Sequence, residues 1–331
     1  GGGGPSSWHG SSGGESYASH EYDTANIAMT YTALACLVTL GDDLSKVERA
    51  PLLRALKNLQ QPDGSFAATA DGSENDLRFT YCACAISSFL DDWSAVDTEA
   101  ASGFVRACSS GFDGGIGLVA SQESHGGSTF TGVAALSLMG RLQSLSSPTT
   151  ATATGSGSSS SSGNGALRPP APPPPPTFDS NELVDLVGWC LRRQLSSTKD
   201  SGRQLQDDNE AEEEGSKPTT PGGFQGRTNK AADTCYSFWV GGALAILGAF
   251  DLVHTESVGK FVAACEVKYV GGFGKVEGAP PDILHSFYSL CYRSLSGFPG
   301  LKKLHCGLVV CGDRAEAHFE RQRQLDQHNT K

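Results

Sequence analysis

Apolar segments recur along this 331-residue chain with a period of about fifty residues. Each segment follows a Gly-containing turn and carries one aromatic residue 15 to 17 positions after the Gly, at Tyr31, Tyr81, Phe130, Phe238 and Phe287. The intervals between these aromatics are 50, 49, 108 and 49 residues, so the third interval is one period plus about sixty residues. Self-similarity at such a period indicates a repeat protein.

Each repeat is predicted to form an outer helix, a Gly turn and an inner helix. The inner segments are apolar or small on nearly every side, which is typical of helices buried all round, and they are residues 27–40, 80–90, 130–142, 236–250 and 286–295. The connecting segments have a polar face for solvent, and they are residues 52–60, 96–108 and 181–194. Helical hairpins of this length build either an open solenoid or a closed ring. Because an open solenoid would expose every inner helix, the pattern favours an all-α fold, a closed α/α toroid.

Low-complexity stretches interrupt the repeats and define the predicted segments. The extra sixty residues contain a Ser/Pro-rich insert and an acidic polar insert, and both have too little apolar content to fold. The predicted organisation is a Gly/Ser-rich N-terminal segment at 1–20, the first part of the toroid at 21–143, the Ser/Pro-rich insert at 144–180, an outer helix at 181–195, the acidic insert at 196–220, the second part of the toroid with the candidate metal and anion sites at 221–300, and a C-terminal tail at 301–331.

Charge and cysteine usage narrow the class of protein. The net charge is −11 and no Lys/Arg stripe with interleaved aromatics occurs, which argues against nucleic-acid binding. The ten cysteines form no CxxC pair and no cleavable signal peptide precedes them, which predicts a reducing, cytoplasmic location. The longest apolar run, 238–250, is too short for a transmembrane segment. Since the chain begins at Gly1 without Met, we expect an upstream segment to be absent.

The repeat also predicts where the chemistry lies. The residues five and three positions before each aromatic occupy equivalent slots at the start of successive inner helices: Asn26 and Ala28, Asp76 and Arg78, His125 and Gly127, Asp233 and Cys235, and Asp282 with Leu284 beside His285. In a toroid these slots would share one rim of the central cavity. Several helix N-termini at one rim favour an anionic ligand.

Asp233, Cys235 and His285 form the candidate metal site. They offer oxygen, sulfur and nitrogen ligands, and three protein ligands leave a tetrahedral Zn²⁺ with one open position, as in catalytic sites. The alternative is a helix-capping Asp, a buried thiol and an isolated His, because the D-x-C…H spacing is a weak pattern. The equivalence of Cys235 and His285 in the repeat favours the metal.

A set of basic and aromatic residues forms the candidate anion site. Arg227, Lys230, His125 and Tyr236 could bind the oxygens of a diphosphate beside a Gly-rich turn and helix N-termini. The alternative for each of them alone is a solvated loop or a core His. Asp76 and Arg78 are equally well explained by pairing with each other at the rim.

At these residues the sequence resembles the β subunits of protein prenyltransferases, most of all that of geranylgeranyltransferase type I. The matching stretches are NIAMTYTALACLVTLGDDLS, LQQPDGSF, GSENDLRFTYCACAISSFL, ESHGGSTFTGVAALSLMG, GGFQGRTNK, DTCYSFWVG, YVGGFGK and PDILHSFYSL. The resemblance implies that Asp233, Cys235 and His285 hold one catalytic Zn²⁺ per β subunit. It also implies that His125, Arg227, Lys230 and Tyr236 bind the isoprenoid diphosphate.

Two further groups of residues follow from the resemblance. Lys275, in GGFGK, stands where the farnesyl and Rab-type enzymes carry an Asp associated with Mg²⁺, so Mg²⁺ is not expected to be required. Asn26, Ala28 and Phe79 match positions that receive the terminal residue of the Cys-a-a-X peptide, and Arg78 is placed with them. The family has His where Asn26 stands, which bears on the selectivity for that terminal residue.

The implied activity is the transfer of a geranylgeranyl group from geranylgeranyl diphosphate to a C-terminal cysteine through a zinc-bound thiolate. The implied partners are a prenyltransferase α subunit, which completes a heterodimer, and Cys-a-a-X proteins such as Rho-type small GTPases. A farnesyl or Rab-type β subunit and a catalytically incomplete scaffold that binds the α subunit remain alternatives. A terpene cyclase shares the toroid but requires a DxDD signature, which the sequence lacks. The family toroid has six hairpins, and we expect the first to be missing here.

Overall fold

The computed structural model describes residues 24–142, 177–195 and 222–329. The predicted N-terminal segment 1–20 and nearly all of the two inserts, 144–180 and 196–220, lie outside these residues. The described residues are largely helical, and three short antiparallel strand pairs join some of the helices.

The helices follow the predicted alternation of inner and outer segments. They are α1 (Ile27–Leu40), α2 (Arg49–Leu59), α3 (Leu77–Leu90), α4 (Thr98–Cys108), α5 (Gly126–Leu138), α6 (Ser180–Leu191), α7 (Thr234–Ile246), α8 (Thr255–Ala264), α9 (Ile283–Leu295) and α10 (Gly312–Asn329). The strand pairs are β1 (Phe66–Ala67) with β2 (Asn75–Asp76), β3 (Phe273–Gly274) with β4 (Pro281–Asp282), and β5 (Leu304–His305) with β6 (Val310–Cys311).

The odd-numbered helices from α1 to α9 form the inner layer. Each packs against the next one in the series, and α2, α4, α6 and α8 lie outside them. The repeat aromatics meet inside this layer: the ring centroids of Tyr31 and Tyr81 are 5.3 Å apart, those of Tyr81 and Phe130 5.8 Å, and those of Phe130 and Phe238 5.0 Å. The predicted two-layer α/α toroid is therefore confirmed.

The fifth repeat differs from the predicted register by one residue. Tyr288, and not Phe287, stacks on Phe238 at 5.4 Å, while Phe287 is 46% exposed. The cap of α9 explains the shift, because Asp282 accepts the backbone N–H of the third following residue, whereas Asp233 accepts that of the second. The fifty-residue equivalents of Cys235 and Phe238 are thus His285 and Tyr288.

The prediction that all inner helices are buried all round is wrong for the first and the last. Helix α3 is buried on nearly every side, but Met29 and Leu40 of α1 and Ile283 of α9 are more than half exposed. In the described part of the chain, the inner helix that packs most closely on α1 is α3, and the one that packs most closely on α9 is α7. The C-terminal segment contacts both α1 and α9, since α10 packs on α1 and β5 contacts α9.

Helix boundaries differ from the predicted ones at both ends. Helices α5 and α7 begin two to four residues earlier than predicted, because their polar caps lie ahead of the apolar run. Both also end four residues earlier than predicted, two residues before a Gly with positive φ, Gly140 at 69° and Gly248 at 75°. A Gly in this conformation is a common helix terminator.

Polar side chains cap all five inner helices at one end. Each accepts a backbone N–H of the first turn through its own side chain, and they are Asn26, Asp76, His125, Asp233 and Asp282. These are the five slots predicted from the repeat. The rim of the ring therefore collects helix N-termini, whose partial positive charge favours anions.

The ten cysteines are all free thiols. Within the described ranges, each helix is either too short or too polar to traverse a lipid bilayer.

Asp113 ties the turn before α5 to the outer helix α6. Its carboxylate accepts hydrogen bonds from Trp189 Nε1 at 3.0 Å, Ser124 Oγ at 2.7 Å and the Gly115 amide at 3.1 Å. Burial acts to raise the pKa of Asp113, but these hydrogen bonds outweigh it and the pKa is lowered. A lowered pKa means that the charged form stabilises the fold above the unfolded pKa of about 3.9, and that this is lost as the pH falls through the folded value.

We therefore expect Asp113→Asn to lower the free energy of unfolding by about 1–3 kcal/mol at pH 7. The difference should shrink as the pH falls through the lowered pKa of Asp113, because the parent chain then loses the charge as well. Urea unfolding at several acidic pH values and at pH 7 measures this. A loss that stays the same down to the most acidic pH at which the chain folds would show that charge plays no part.

Candidate active site

Three metal-ligand side chains converge where α7 and α9 begin. Asp233 caps α7, Cys235 lies in the first turn of that helix, and His285 lies in the first turn of α9. One ligand atom from each residue lies within 4.8 Å of the other two. Tetrahedral ligands of one Zn²⁺ lie about 3.3–3.8 Å apart at bond lengths of about 2.0–2.3 Å, so small movements bring all three onto one ion. Across the described ranges, no other group of three such residues meets this criterion.

The electrostatics of Cys235 favour a bound cation. Burial raises the pKa of the Cys235 thiol, and the Asp233 carboxylate raises it further, while the positive charge of Lys275 acts in the opposite direction. A thiol here stays protonated at neutral pH until a metal replaces the proton. The donor set of one oxygen, one sulfur and one nitrogen suits Zn²⁺.

Asp282 orients the imidazole of His285. Its Oδ2 lies 2.6 Å from Nδ1 of His285, and its Oδ1 accepts the His285 backbone N–H at 2.9 Å. The backbone N–H and then the ring lower the pKa of Asp282, so its carboxylate is charged at neutral pH. With the Nδ1 proton donated to Asp282, the Nε2 lone pair faces Asp233, whose Oδ1 is 3.3 Å away. A carboxylate behind a histidine ligand fixes its tautomer and raises its basicity.

We expect Asp282→Asn to weaken metal binding about 10- to 100-fold while the helix cap survives, because Asn also caps helices well. Competition with a chelator of known affinity measures the change. Asp97→Asn is the matched control, since Asp97 caps the outer helix α4 in the same way. Equal metal affinity of Asp282→Asn and the parent chain would contradict this role.

A cavity of about 560 Å³ opens at the same rim, where α3, α5 and α7 begin. Its wall combines cations with apolar and small polar groups, contributed by Arg78, Leu118, Gln122, Glu123, His125, Gly127, Ser128, Thr131, Arg227 and Trp239. Arg227 is half-exposed and pairs with Glu123 at 3.1 Å.

His125 and Tyr236 form a hydrogen-bonded pair at this cavity. Nε2 of His125 and Oη of Tyr236 are 2.9 Å apart, and Nδ1 of His125 accepts the Gly127 backbone N–H at 3.0 Å. Because Nδ1 accepts, the ring proton of a neutral His125 lies on Nε2 and is donated to the phenol oxygen. Burial and then the charge of Arg227 lower the pKa of His125, which keeps the ring neutral.

The hydroxyl of Tyr236 is consequently available as a donor. Burial raises the pKa of Tyr236 to about 12, so the phenol stays protonated at neutral pH. Since His125 donates a hydrogen bond to Oη, the O–H of Tyr236 can itself donate a hydrogen bond to another group.

Gly226 sets the position of Tyr236. A Cβ at Gly226 would lie 2.1 Å from Cζ of Tyr236, so the phenol ring packs directly on this backbone. The carbonyl of Gly226 accepts the backbone N–H of Gly126 at 2.8 Å, which joins the turn to the start of α5. Residues 226–230 are here called the anion turn. Its first residue, Gly226, is therefore fixed by the ring of Tyr236 and by the backbone of Gly126, the residue that follows His125.

The two lysines of the candidate anion site are exposed. The backbone N–H of Lys230 is held by Gln225 Oε1 at 3.0 Å, and Asn229 before it has a φ of 62°. Lys275 follows β3, and its carbonyl accepts the backbone N–H of Thr234 at 3.0 Å. The charge of Lys275 acts on Cys235, as described above, which places it near the metal trio.

The candidate peptide-site residues lie on two neighbouring inner helices. Asn26 caps α1 and Ala28 is in its first turn, while Arg78 and Phe79 are in the first turn of α3. Arg78 pairs with Asp76 at 2.6 Å and with Glu74 at 2.8 Å, as the alternative interpretation expected. Phe79 is only 6% exposed, beneath the Arg78 guanidinium, so it offers little surface to a substrate.

Sequence reasoning did not select three residues that the structure places at the site. Trp239 lines the cavity one helical turn after Tyr236, and the i,i+3 spacing on an apolar helix could have indicated it. Asp282 was identified as a rim slot but not as the partner of His285. Glu123 pairs with Arg227 across 104 residues, a relation that no local pattern carries.

Two concentric layers of α-helices with polar caps along one rim are found in a known class of protein. A family model described as "Prenyltransferase alpha-alpha toroid domain" matches residues 6–310, and the chain belongs to this family.

Two similar curated proteins are subunits of one enzyme type. The geranylgeranyl transferase type-1 subunit beta of Arabidopsis thaliana is 37% identical over 289 residues, which cover 86% of this chain and 62% of that protein. The protein of the same name from Dictyostelium discoideum is 30% identical over 285 residues, covering 86% and 64%. The chain thus spans less than two thirds of the length of these relatives.

A solved structure shares the fold. The Candida albicans protein geranylgeranyltransferase-I complexed with GGPP matches with a TM-score of 0.69 at 22% identity, covering 91% of this chain and 75% of that chain. At this identity the likeness concerns the fold alone.

Proposed function

We propose that the chain acts as the β subunit of a type I protein geranylgeranyltransferase. In this function it transfers the C20 isoprenoid of geranylgeranyl diphosphate to the cysteine thiol of a Cys-a-a-X protein. The observation that carries the proposal is the position of the metal trio directly beside the donor pair of the anion cavity, since Cys235 and Tyr236 are consecutive residues of α7. A thiol acceptor and a diphosphate leaving group need these two sites side by side.

Asp233, Cys235 and His285 would hold the zinc ion, with Asp282 behind His285. When bound, zinc would lower the pKa of the acceptor thiol so that the sulfur is nucleophilic at neutral pH. Other side chains of this protein would bind and orient the substrates. The cavity, with Trp239 in its wall, would receive and orient the isoprenoid.

Charge builds on the diphosphate as its bond to C1 of the isoprenoid breaks. Tyr236 would donate a hydrogen bond from its phenol O–H to an oxygen of the leaving diphosphate, while His125 donates a hydrogen bond to the phenol oxygen. Arg227, Lys230 and Lys275 add positive charge, and preorganised charge of this kind is usually the largest contribution to catalysis. With Lys275 beside the leaving group, Mg²⁺ would not be required.

Support for a type I enzyme over a farnesyl or Rab-type one comes from Lys275 and from the two relatives that are type-1 subunits. The α subunit is part of the proposal because those relatives are named as subunits. Cys-a-a-X proteins such as Rho-type GTPases are the proposed acceptors.

The proposal is tested by transfer assays on the chain reconstituted with a prenyltransferase α subunit. Geranylgeranyl and farnesyl diphosphates are compared with peptides ending in Cys-a-a-Leu and Cys-a-a-Ser, with and without Mg²⁺. The proposal expects the C20 donor and the Leu peptide to be preferred and Mg²⁺ to have little effect. Preference for the C15 donor with Mg²⁺ dependence would identify a farnesyltransferase subunit, and a stable heterodimer without transfer would identify a scaffold.

A further inference from the structure

Arg193 is a buried cation directly behind the anion turn. It follows the C-terminus of α6 and is only 5% exposed. Its Nη1 donates a hydrogen bond to Thr228 Oγ1 at 2.5 Å, and Thr228 lies in the middle of the anion turn. Its backbone carbonyl accepts the N–H of Gln225 at 2.9 Å. Side chain and backbone of one residue thus hold both the entry and the middle of the turn.

The described residues supply no counter-ion to Arg193. None of their carboxylates forms an ion pair with it, and its buried Nε has no hydrogen-bond partner among them. Burial lowers the pKa of Arg193, but an arginine stays charged at physiological pH. Burying a cation without a counter-ion is costly, so the contacts that hold Arg193 in place must offset that cost.

The surroundings of Arg193 fix it without cancelling its charge. Its guanidinium lies over the Trp189 ring, 4.8 Å from the centroid. Among the carboxylates, Asp113 has the largest electrostatic influence on Arg193, and its oxygens already accept hydrogen bonds from Trp189, Ser124 and Gly115. Glu123 has a smaller influence and is paired with Arg227. The indole contacts both the Asp113 carboxylate and the Arg193 guanidinium. The positive charge remains available to an anion held by the turn.

We propose that Arg193 is a positioning residue for the diphosphate: through Thr228 it fixes the shape of the anion turn, and its charge adds to the positive potential there. This inference rests on the proposed function, because it assigns the anion turn to the leaving group. It concerns a residue that does not itself line the cavity.

The test compares ligands that differ only in the anion. Binding of geranylgeranyl diphosphate, inorganic pyrophosphate and uncharged geranylgeraniol is measured on the zinc-loaded heterodimer. Arg193→Gln removes the charge but can still donate a hydrogen bond, and Thr228→Val removes the acceptor. Arg192→Gln is the matched control, because the Arg192 guanidinium is exposed and, within the described ranges, donates its hydrogen bond to the Asp113 carbonyl at 3.4 Å and none to the anion turn.

We expect Arg193→Gln to weaken both diphosphate ligands about tenfold, the usual loss for a charge-assisted interaction, and to leave geranylgeraniol unchanged. Thr228→Val should weaken pyrophosphate several-fold, and Arg192→Gln should change nothing. The inference would be overturned if Arg193→Gln lost the same factor in affinity for geranylgeranyl diphosphate and for geranylgeraniol. A lowered Tm with no change in the ratio of these two affinities would likewise show that the residue is purely structural. If Arg193→Gln does not fold, unchanged pyrophosphate binding by Thr228→Val overturns it.

The outcome is separable from that of the proposed function. If the parent heterodimer transfers lipid and Arg193→Gln binds diphosphate as well as the parent does, only this inference is contradicted. If pyrophosphate binding depends on Arg193 but the heterodimer transfers no lipid, the proposed function is contradicted and the role of Arg193 is supported.

Discussion

Cys235→Ala, in a chain reconstituted with its α subunit, is expected to lose its zinc and to transfer lipid at least about a hundredfold more slowly, since even outer-shell changes cost 10- to 100-fold. The variant removes the only sulfur of the trio. The two remaining ligands, Asp233 and His285, would then lie 3.3 Å apart with no thiolate to offset the metal charge. Metal analysis after dialysis and a single-turnover assay measure the two effects.

Cys265→Ala is the control for this result. Cys265 is a buried free thiol like Cys235, but it belongs to no cluster of metal ligands among the described residues. Its replacement should cost stability without removing zinc. A Cys235→Ala heterodimer that bound zinc and transferred lipid at the parental rate would refute the assignment of the trio.

Gly226→Ala is expected to reduce isoprenoid diphosphate binding strongly. The new methyl group would lie 2.1 Å from the Tyr236 ring, which real atoms do not tolerate, so the ring must move. That movement breaks the 2.9 Å hydrogen bond to His125 and withdraws the phenol from the anion. Overpacking of this kind costs about 1–3 kcal/mol of stability. Titration with the diphosphate and urea unfolding measure both quantities.

Gly259→Ala serves as the matched control. Gly259 lies within α8, and a Cβ there would meet nothing within 4 Å. This replacement should raise stability by about 1 kcal/mol, because Ala is the better helix former. Gly226→Ala and Gly259→Ala should contain the same amount of zinc, since neither Gly belongs to the metal trio. Undiminished diphosphate binding by Gly226→Ala would contradict the packing account of the anion site.

The fold was predictable because one pattern recurs with little variation. The fifty-residue period located every inner helix, and the slot five residues before each aromatic is a helix cap in all five cases. Caps are chosen by local backbone chemistry, so a local pattern can find them. The one-residue shift in α9 could not be predicted, because it depends on which N–H Asp282 accepts.

Exposure of α1 was not predictable from its composition, because α1 is at least as apolar as its neighbour α3 and burial depends on what packs beside it. Helix α9 is less apolar than its neighbour α7, and its polar residues lie on one side, so its sequence did carry a signal of exposure. The ordered C-terminal segment with β5, β6 and α10 also lies outside the repeat, so no period pointed to it.

The convergence of the metal trio could be predicted from the repeat and the family resemblance, whereas His125 and Tyr236 were named as members of one site without the hydrogen bond that joins them. The residues that support these side chains from behind could not be predicted from the sequence. Asp282 serves as both a cap and the partner of an imidazole, and only the rotamers reveal the second role. Arg193 contacts Thr228 across 35 residues, and part of the sequence between them belongs to an insert.

The central claim is that one zinc ion is held by an oxygen, a sulfur and a nitrogen from Asp233, Cys235 and His285. Zinc X-ray absorption spectroscopy of the purified heterodimer tests it most directly. The account predicts one sulfur at about 2.3 Å with nitrogen and oxygen at about 2.0–2.2 Å, and loss of the sulfur in Cys235→Ser. A first shell without sulfur, a shell of several sulfurs, or a spectrum unchanged in Cys235→Ser would contradict it.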